Sequence, residues 1–446
     1  MKNFKLFFIL VFFISCSKNF ETNFPFKVSF DSEFKIIDIY GGSNEDIAHA
    51  IIKTYDGGFA VIGNTKSNDL DLNFRTASDS DILFLKFKPD LKLDYLKTYG
   101  GSDDDRGYDL VQLEDRGFIL LGYSKSSDGD VSLNKGQHDN WVIRIDQKGE
   151  IIWEKSFGFS GHDHAYNIIS TKDGGFFFNG FLDVTASNGM GMTKKKMISS
   201  KKHGVGEFWC HKIDKDGNLQ WRKYFGGTNN DRSYDSIETA DGDFIIVGSS
   251  ESSDNDISSP KGSYDIWVIK LSSNGDFLWE RSYGGSKYET ANSIIQSSDK
   301  KIHILGSTLS DDKDISFQMG SSDFCLLTID SDGNLLSEQT FGGSNFDMGK
   351  KIEIDNKDNL WLTGYSRSLD FDLSFNKGKN DAVLVQLSKN RILKKVLAIG
   401  AEGEDIANSL IHFNENEIIV AGYSDSRGDY FVENKGGKDI FLAFFK

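Results

Sequence analysis

Proline is nearly absent from this chain, with 3 in 446 residues, and cysteine is equally scarce at 3. So little proline beside 45 glycines and 36 phenylalanines excludes linker-rich disorder and fits many short strands joined by glycine turns. So few cysteines exclude a disulfide scaffold. Basic charge is also in short supply: 51 Lys and Arg face 67 Asp and Glu, for a net charge of −16. That balance disfavours nucleic acid and anionic lipid as partners, because neutralising phosphates needs a basic face.

The apolar run Leu6–Ile14 follows Lys2 and Lys5 and is nine residues long, too short to span a bilayer. Residues 1–15 therefore read as an export signal. Phe13-Ile14-Ser15-Cys16 resembles a bacterial lipobox, although Phe13 stands where leucine is usual. The resemblance implies a lipid on Cys16, which would anchor the chain to a membrane through several acyl chains. The alternative is an ordinary cleaved signal with an incidental cysteine. The expected organisation is a signal over 1–15, a lipidated tether over 16–32 and one folded domain over 33–446.

That domain is repetitive. Gly-Gly-Ser or a variant begins at Gly41, Gly100, Gly158, Gly226, Gly284, Gly342 and Gly400, with spacings of 58 or 59 residues except 68 for the third unit. An acid follows at Asp46, Asp105, Asp163, Asp231, Glu289, Asp347 and Asp405, and two positions on is Ala, Gly or Ser. A glycine lies seventeen residues after each acid, from Gly63 to Gly422. Within a unit, turns such as Asp56-Gly57-Gly58 and Asp146-Gln147-Lys148-Gly149 separate four β-like runs. A lone four-stranded meander cannot bury both faces, whereas seven stacked around an axis bury them all. The predicted fold is all-β, a seven-bladed β-propeller of four-stranded blades. The last unit stops on its third strand and Phe34–Tyr40 is an orphan fourth strand, so the N-terminal strand is expected to close the ring. Stacked sandwiches or a linear array would leave that orphan unexplained. Cys210 and Cys325 fall on third strands of different blades, which predicts buried, unpaired thiols.

The motifs Phe225-Gly226-Gly227-Thr228, Asp241-Gly242-Asp243-Phe244, Ser252–Ser258, Lys261-Gly262 and Asp265-Ile266-Trp267-Val268-Ile269-Lys270 resemble a family of propeller-repeat lipoproteins and secreted proteins of Bacteroidota. The likeness covers about residues 34–446 and implies a place in the cell envelope. Ser17-Lys18-Asn19-Phe20-Glu21 looks like a degraded form of the acidic signal that exports such lipoproteins, which favours the cell surface over the periplasmic face of the outer membrane.

Strand order puts the loops between second and third strands on the same face as the Gly-Gly-Ser connections. Five of these loops read Ser-x-Asp-x-Asp, with acids Asp69 and Asp71, Asp128 and Asp130, Asp254 and Asp256, Asp312 and Asp314, and Asp370 and Asp372. Alternating carboxylates are hard oxygen ligands suited to calcium. They equally suit side chains that satisfy loop amides, and both readings stand here. The third unit instead carries an insertion, Asp183–Gly206, with Met190, Met192, Lys194, Lys195, Lys196, Met197, Lys201, Lys202 and His203. A tolerated insertion, a loop that docks a partner, and a soft-metal site with the nearby His162, His164 and His211 are its three readings.

No nucleophile elbow, zinc-protease helix or phosphate loop is present. The leading expectation is a non-catalytic binding or scaffold subunit of an outer-membrane or cell-surface protein assembly. A surface glycan-binding lipoprotein comes next, then a hydrolase or lyase acting in the propeller channel. Lipidation is tested directly. Cys16→Ala should release the chain from the membrane pellet after a salt wash while its melting curve stays unchanged; continued sedimentation with membranes would reveal another anchor.

Overall fold

The computed structural model describes residues 34–191, 203–204, 206–428 and 431–446. Cys16 and the segment before Phe34 therefore lie outside the described residues. Among the described residues, no helix is long and apolar enough to cross a membrane.

Twenty-eight strands form seven four-stranded antiparallel sheets, and these are the blades of a seven-bladed propeller. Six blades are continuous meanders, such as the first, with Asp46–Lys53, Phe59–Thr65, Asp81–Phe87 and Leu93–Tyr99 in order. The seventh takes its outer strand from the other end of the chain. Phe34–Tyr40 pairs antiparallel with Asp439–Phe445, Tyr40 opposite Ile440 and Phe34 opposite Phe445. This is the closure that the orphan strand predicts. A core cluster joins Phe59, Leu83 and Leu85 of the first blade to Ile419, Ala421, Ile440 and Leu442 of the last. Each fully buried side chain of this kind contributes roughly 1.5–3 kcal/mol.

Packing between blades explains two of the repeat columns. The glycine column faces the small-residue column across the first hairpin, Ala48 opposite Gly63 and Ala291 opposite Gly306. A side chain at Gly63 would collide with the Ile47 carbonyl, so glycine is obligatory there. The small residue itself faces the preceding blade: a Cβ on Gly107 would press on Ile62 and Ile82. Its size is thus set by blade stacking and not by crowding at the propeller axis. The strand-four aromatics pack on the last turn of the next blade, Trp153 against Gly217, Trp221 against Gly275 and Trp279 against Gly333. Cys210 and Cys325 are buried and unpaired, and burial pushes the Cys210 thiol up to about 12.

Removing residues 34–40 would strip the last blade of its outer strand and leave Asp439–Phe445 as an exposed apolar edge. The truncated chain is expected to form soluble aggregates, visible by light scattering, at concentrations where the intact chain is monodisperse. A truncated chain that stays monodisperse and melts with the intact one would show that closure adds no stability.

Candidate functional site: the central channel and its mouth

The first acid column is buried in every blade and serves the backbone. Asp46 Oδ2 accepts from the Gly42 amide at 2.8 Å and the Ser67 hydroxyl at 2.8 Å, and its other oxygen accepts from Thr65. Asp105, Asp347 and Asp405 repeat this set with Gly101 and Ser126, Gly343 and Ser368, and Ala401 and Ser426.

The Ser-x-Asp-x-Asp loops face the same connections. Asp69, Asp128, Asp254, Asp312 and Asp370 accept from the amides of Ser43, Ser102, Thr228, Ser286 and Ser344 at 2.7–2.9 Å. Asp71, Asp130, Asp256 and Asp314 accept from the first glycine of the connection at 3.1–3.2 Å. In the fifth loop the Asp372 amide donates to the Gly342 carbonyl, and burial pushes its carboxyl up to about 6. Each pair serves its own connection, so the ten residues weighed as calcium ligands have a use as loop-capping acceptors.

Of the insertion, Met190 is exposed and His203 is half-buried. His203 Nδ1 lies 3.4 Å from Glu207 Oε1, and its ring packs edge-on against Tyr224. Met192, Lys194, Lys195, Lys196, Met197, Lys201 and Lys202 lie outside the described residues. The histidines of this blade do not assemble into one site. His211 is enclosed between Phe178 and Trp209, whereas His162 and His164 meet His138 of the preceding blade.

The position that most resembles a binding wall does not stand out in the sequence. In all seven blades the first strand carries a β-bulge at its third or fourth residue, leaving one residue outside the ladder: His49, Tyr108, Tyr166, Tyr234, Asn292, Lys350 and Asn408. A bulge re-aims the side chain it leaves unpaired. All seven line one cavity of about 770 Å³ on the propeller axis. Four of them form an aromatic arc, His49 stacked on Tyr108 at 4.5 Å, Tyr108 edge-on to Tyr166 at 5.0 Å and Tyr166 tilted against Tyr234 at 5.5 Å. A signal does exist: this column lies three residues after each acid and changes from blade to blade while the residue before it stays Ala, Gly or Ser.

Charges line the channel at the next positions along the strands. Asp109 Oδ2 accepts from the Ile168 amide at 2.9 Å and Asn167 Nδ2 at 3.0 Å, tying the second blade to the third. Asp235 does the same between the fourth and fifth blades through Ile294 and Ser293, and Lys351 reaches it from the sixth at 3.2 Å. Glu353 stands where sister blades carry Ile52, Val111, Ile169, Ile237, Ile295 and Ile411. It is partly open to the lumen yet remote from bulk water, and desolvation pushes its carboxyl up to about 7 against the pull of Lys351.

No family model matches this chain, and no curated protein matches it. Similarity to solved structures is broad and shallow. A protein of unknown function from Dyadobacter fermentans matches at 12% identity and TM-score 0.46, covering 93% of this chain and 100% of that one. The WD40 domain of Pan2 from Neurospora crassa matches at 9% identity and TM-score 0.50, over 94% and 98%. Puromycin hydrolase matches at 8% identity and TM-score 0.48, over 87% of this chain and 53% of its own. These likenesses concern the fold alone.

The buried acids set a pH dependence whose sign can be worked out. Burial raises Asp163, Asp323, Asp381 and Glu353 to about 7, above their unfolded values near 4. Between pH 6.5 and 8 the unfolded chain has already lost these protons, whereas the folded chain still releases them, so stability falls as pH rises. Below 6.5 the buried histidines oppose this, since His49 and His138 are held down to about 4 by desolvation and protonate first in the unfolded chain. The melting temperature is therefore expected to be lower at pH 8 than at pH 6.5. A higher value at pH 8 would mean that these carboxyls are ionised in the fold.

Proposed function

We propose that this protein is a lipid-anchored envelope protein that binds its ligand and does not transform it, and that the ligand is a neutral carbohydrate held in the central channel. One observation carries the reading: a bulge repeated in every blade delivers to the axis the column that varies, and the variation runs to aromatic rings and side-chain amides. Aromatic faces pack on the C–H faces of sugar rings, while the side-chain carbonyls of Asn292 and Asn408 and the Glu353 carboxyl offer hydrogen bonds to hydroxyls. The cavity suits a short oligosaccharide. A net charge of −16 works against an anionic ligand. Binding is favoured over catalysis because Asp109 and Asp235 are committed to the amides of neighbouring blades. Envelope placement rests on the lipobox resemblance at Cys16 and on the likeness of the repeats to Bacteroidota lipoproteins.

The test is a screen of the full chain against neutral oligosaccharides, with Tyr234→Ala as the probing variant. Losing one aromatic platform should weaken the best binder about tenfold, since roughly 1.4 kcal/mol corresponds to that factor. Absence of any neutral binder, or equal affinity in the variant, would overturn the carbohydrate reading.

A second reading, a protein partner in the outer membrane, has its own observation. Leu70 and Phe371 stand between the two acids of their Ser-x-Asp-x-Asp loops with φ of 53°, in the left-handed region. Bulky residues reach that conformation at a cost of roughly 1–2 kcal/mol. Both are also exposed, at 53% and 45%, as are Phe74 on the same loop as Leu70 and Phe317 and Val432 on other loops of this face. Rigid, strained loops presenting apolar tips are what a docked protein surface would use.

A further inference from the structure

His138, His162 and His164 belong to three different columns of the repeat, and each is the only histidine in its column. They come from two blades and meet at a single junction. His138 precedes the third strand of the second blade, and His162 lies in the connection that enters the third, pairing with His138 through an isolated parallel bridge. His164 opens the first strand of that blade. At the equivalent junction of the fourth and fifth blades the same positions hold Tyr264, Tyr288 and Thr290, so blade stacking does not demand imidazoles.

The three histidines offer ring nitrogens that all lie within 4.8 Å of one another. His138 Nδ1 and His162 Nδ1 are 2.6 Å apart. His164 Nε2 is buried without a hydrogen-bond partner. An orphaned buried ring nitrogen carries a desolvation cost that a ligand or ion would relieve. The surroundings fix the rings: Tyr123 stacks on His164 at 3.9 Å, and Asp104 Oδ2 stands 3.8 Å from His138 Nε2. Asp104 is itself held by Arg106 Nε at 2.9 Å. A carboxylate behind the second nitrogen of an imidazole is the arrangement that orients histidines toward metals.

We propose that His138, His162 and His164 form a three-imidazole site for a divalent late transition-metal ion, at the junction of the second and third blades beside the channel mouth. Imidazole nitrogens suit zinc, copper and nickel over calcium or magnesium, whose ligands are oxygens. An imidazole ligates a metal ion through a neutral ring nitrogen. Two nitrogens on one tetrahedral zinc stand roughly 3.3 Å apart at bonds of about 2.0–2.1 Å. The His138–His162 pair therefore opens by well under 1 Å to admit the ion, within reach of a half-buried ring on a connecting loop. Three protein ligands leave a coordination position for water or a bound ligand. His203 is not part of this cluster.

Zinc is the probe. The full chain, stripped with a chelator and titrated with Zn²⁺ by calorimetry, should take up one ion per chain, and Co²⁺ in its place should give visible bands of nitrogen coordination. His162→Ala, which alters only a connecting loop, should weaken uptake about 100-fold with no change in the melting curve of the metal-free chain. His138→Phe, which puts an aromatic ring where the sister junction has Tyr264, should do the same while keeping the packing. No uptake by the unaltered chain would overturn the proposal. So would uptake that survives His162→Ala and is lost in His203→Ala.

Discussion

In every blade a fully buried acid ties together segments that would otherwise be loose: the connection entering the blade, the end of its second strand and the loop that follows. Asp46 does this with the Gly42 amide and the hydroxyls of Thr65 and Ser67. A buried carboxylate with several donors repays its desolvation, whereas one left unpaired costs several kcal/mol. Glycine at the start of each connection follows from this. A side chain at Gly41 would strike both Asp46 and Asp439, the latter an acid that opens the third strand of the adjoining blade. Two carboxyl groups thus approach each other at the blade junctions, and mutual repulsion adds to desolvation in raising Asp439, which sits at about 6.

Against that rigid frame the bulge separates two kinds of position. The small residue before the bulge and the aliphatic residues beyond it are fixed by pairing and stacking, so they largely recur from blade to blade. The unpaired residue faces the axis and is under no such demand. Its seven positions therefore carry four kinds of residue, His, Tyr, Asn and Lys. The same logic separates Glu353 from the aliphatic residues of its column and the three histidines from their Tyr and Thr counterparts.

Most of the architecture was legible because its causes are periodic. Turn dipeptides, the glycine column and the orphan strand Phe34–Tyr40 each have one physical explanation, and together they specify blade number and closure. The loop acids were harder to read: Asp69 and Asp71 carry the chemistry of a cation site and the geometry of an amide cap, and only the positions of the Ser43 and Gly41 amides tell them apart. The channel wall was missed for a different reason. A bulge shifts the side chain by one place, so strict alternation along Asp46–Lys53 misassigns His49. The imidazole cluster was half legible. His162 and His164 stand out in their own blade, but His138 lies in another, and a contact across a blade junction has no trace in local spacing.

The closure by Phe34–Tyr40 also orders events in time. The first strand to be synthesised has no partner until Asp439–Phe445, the last, has been made. Each of the first six blades can form from local hairpins, which are quick to assemble, but the seventh waits on a contact spanning nearly the whole chain. Of the described strands, the one made first is therefore paired only once the last has been made. Throughout synthesis the chain stays an open arc, held short of its final shape until its C-terminus is free.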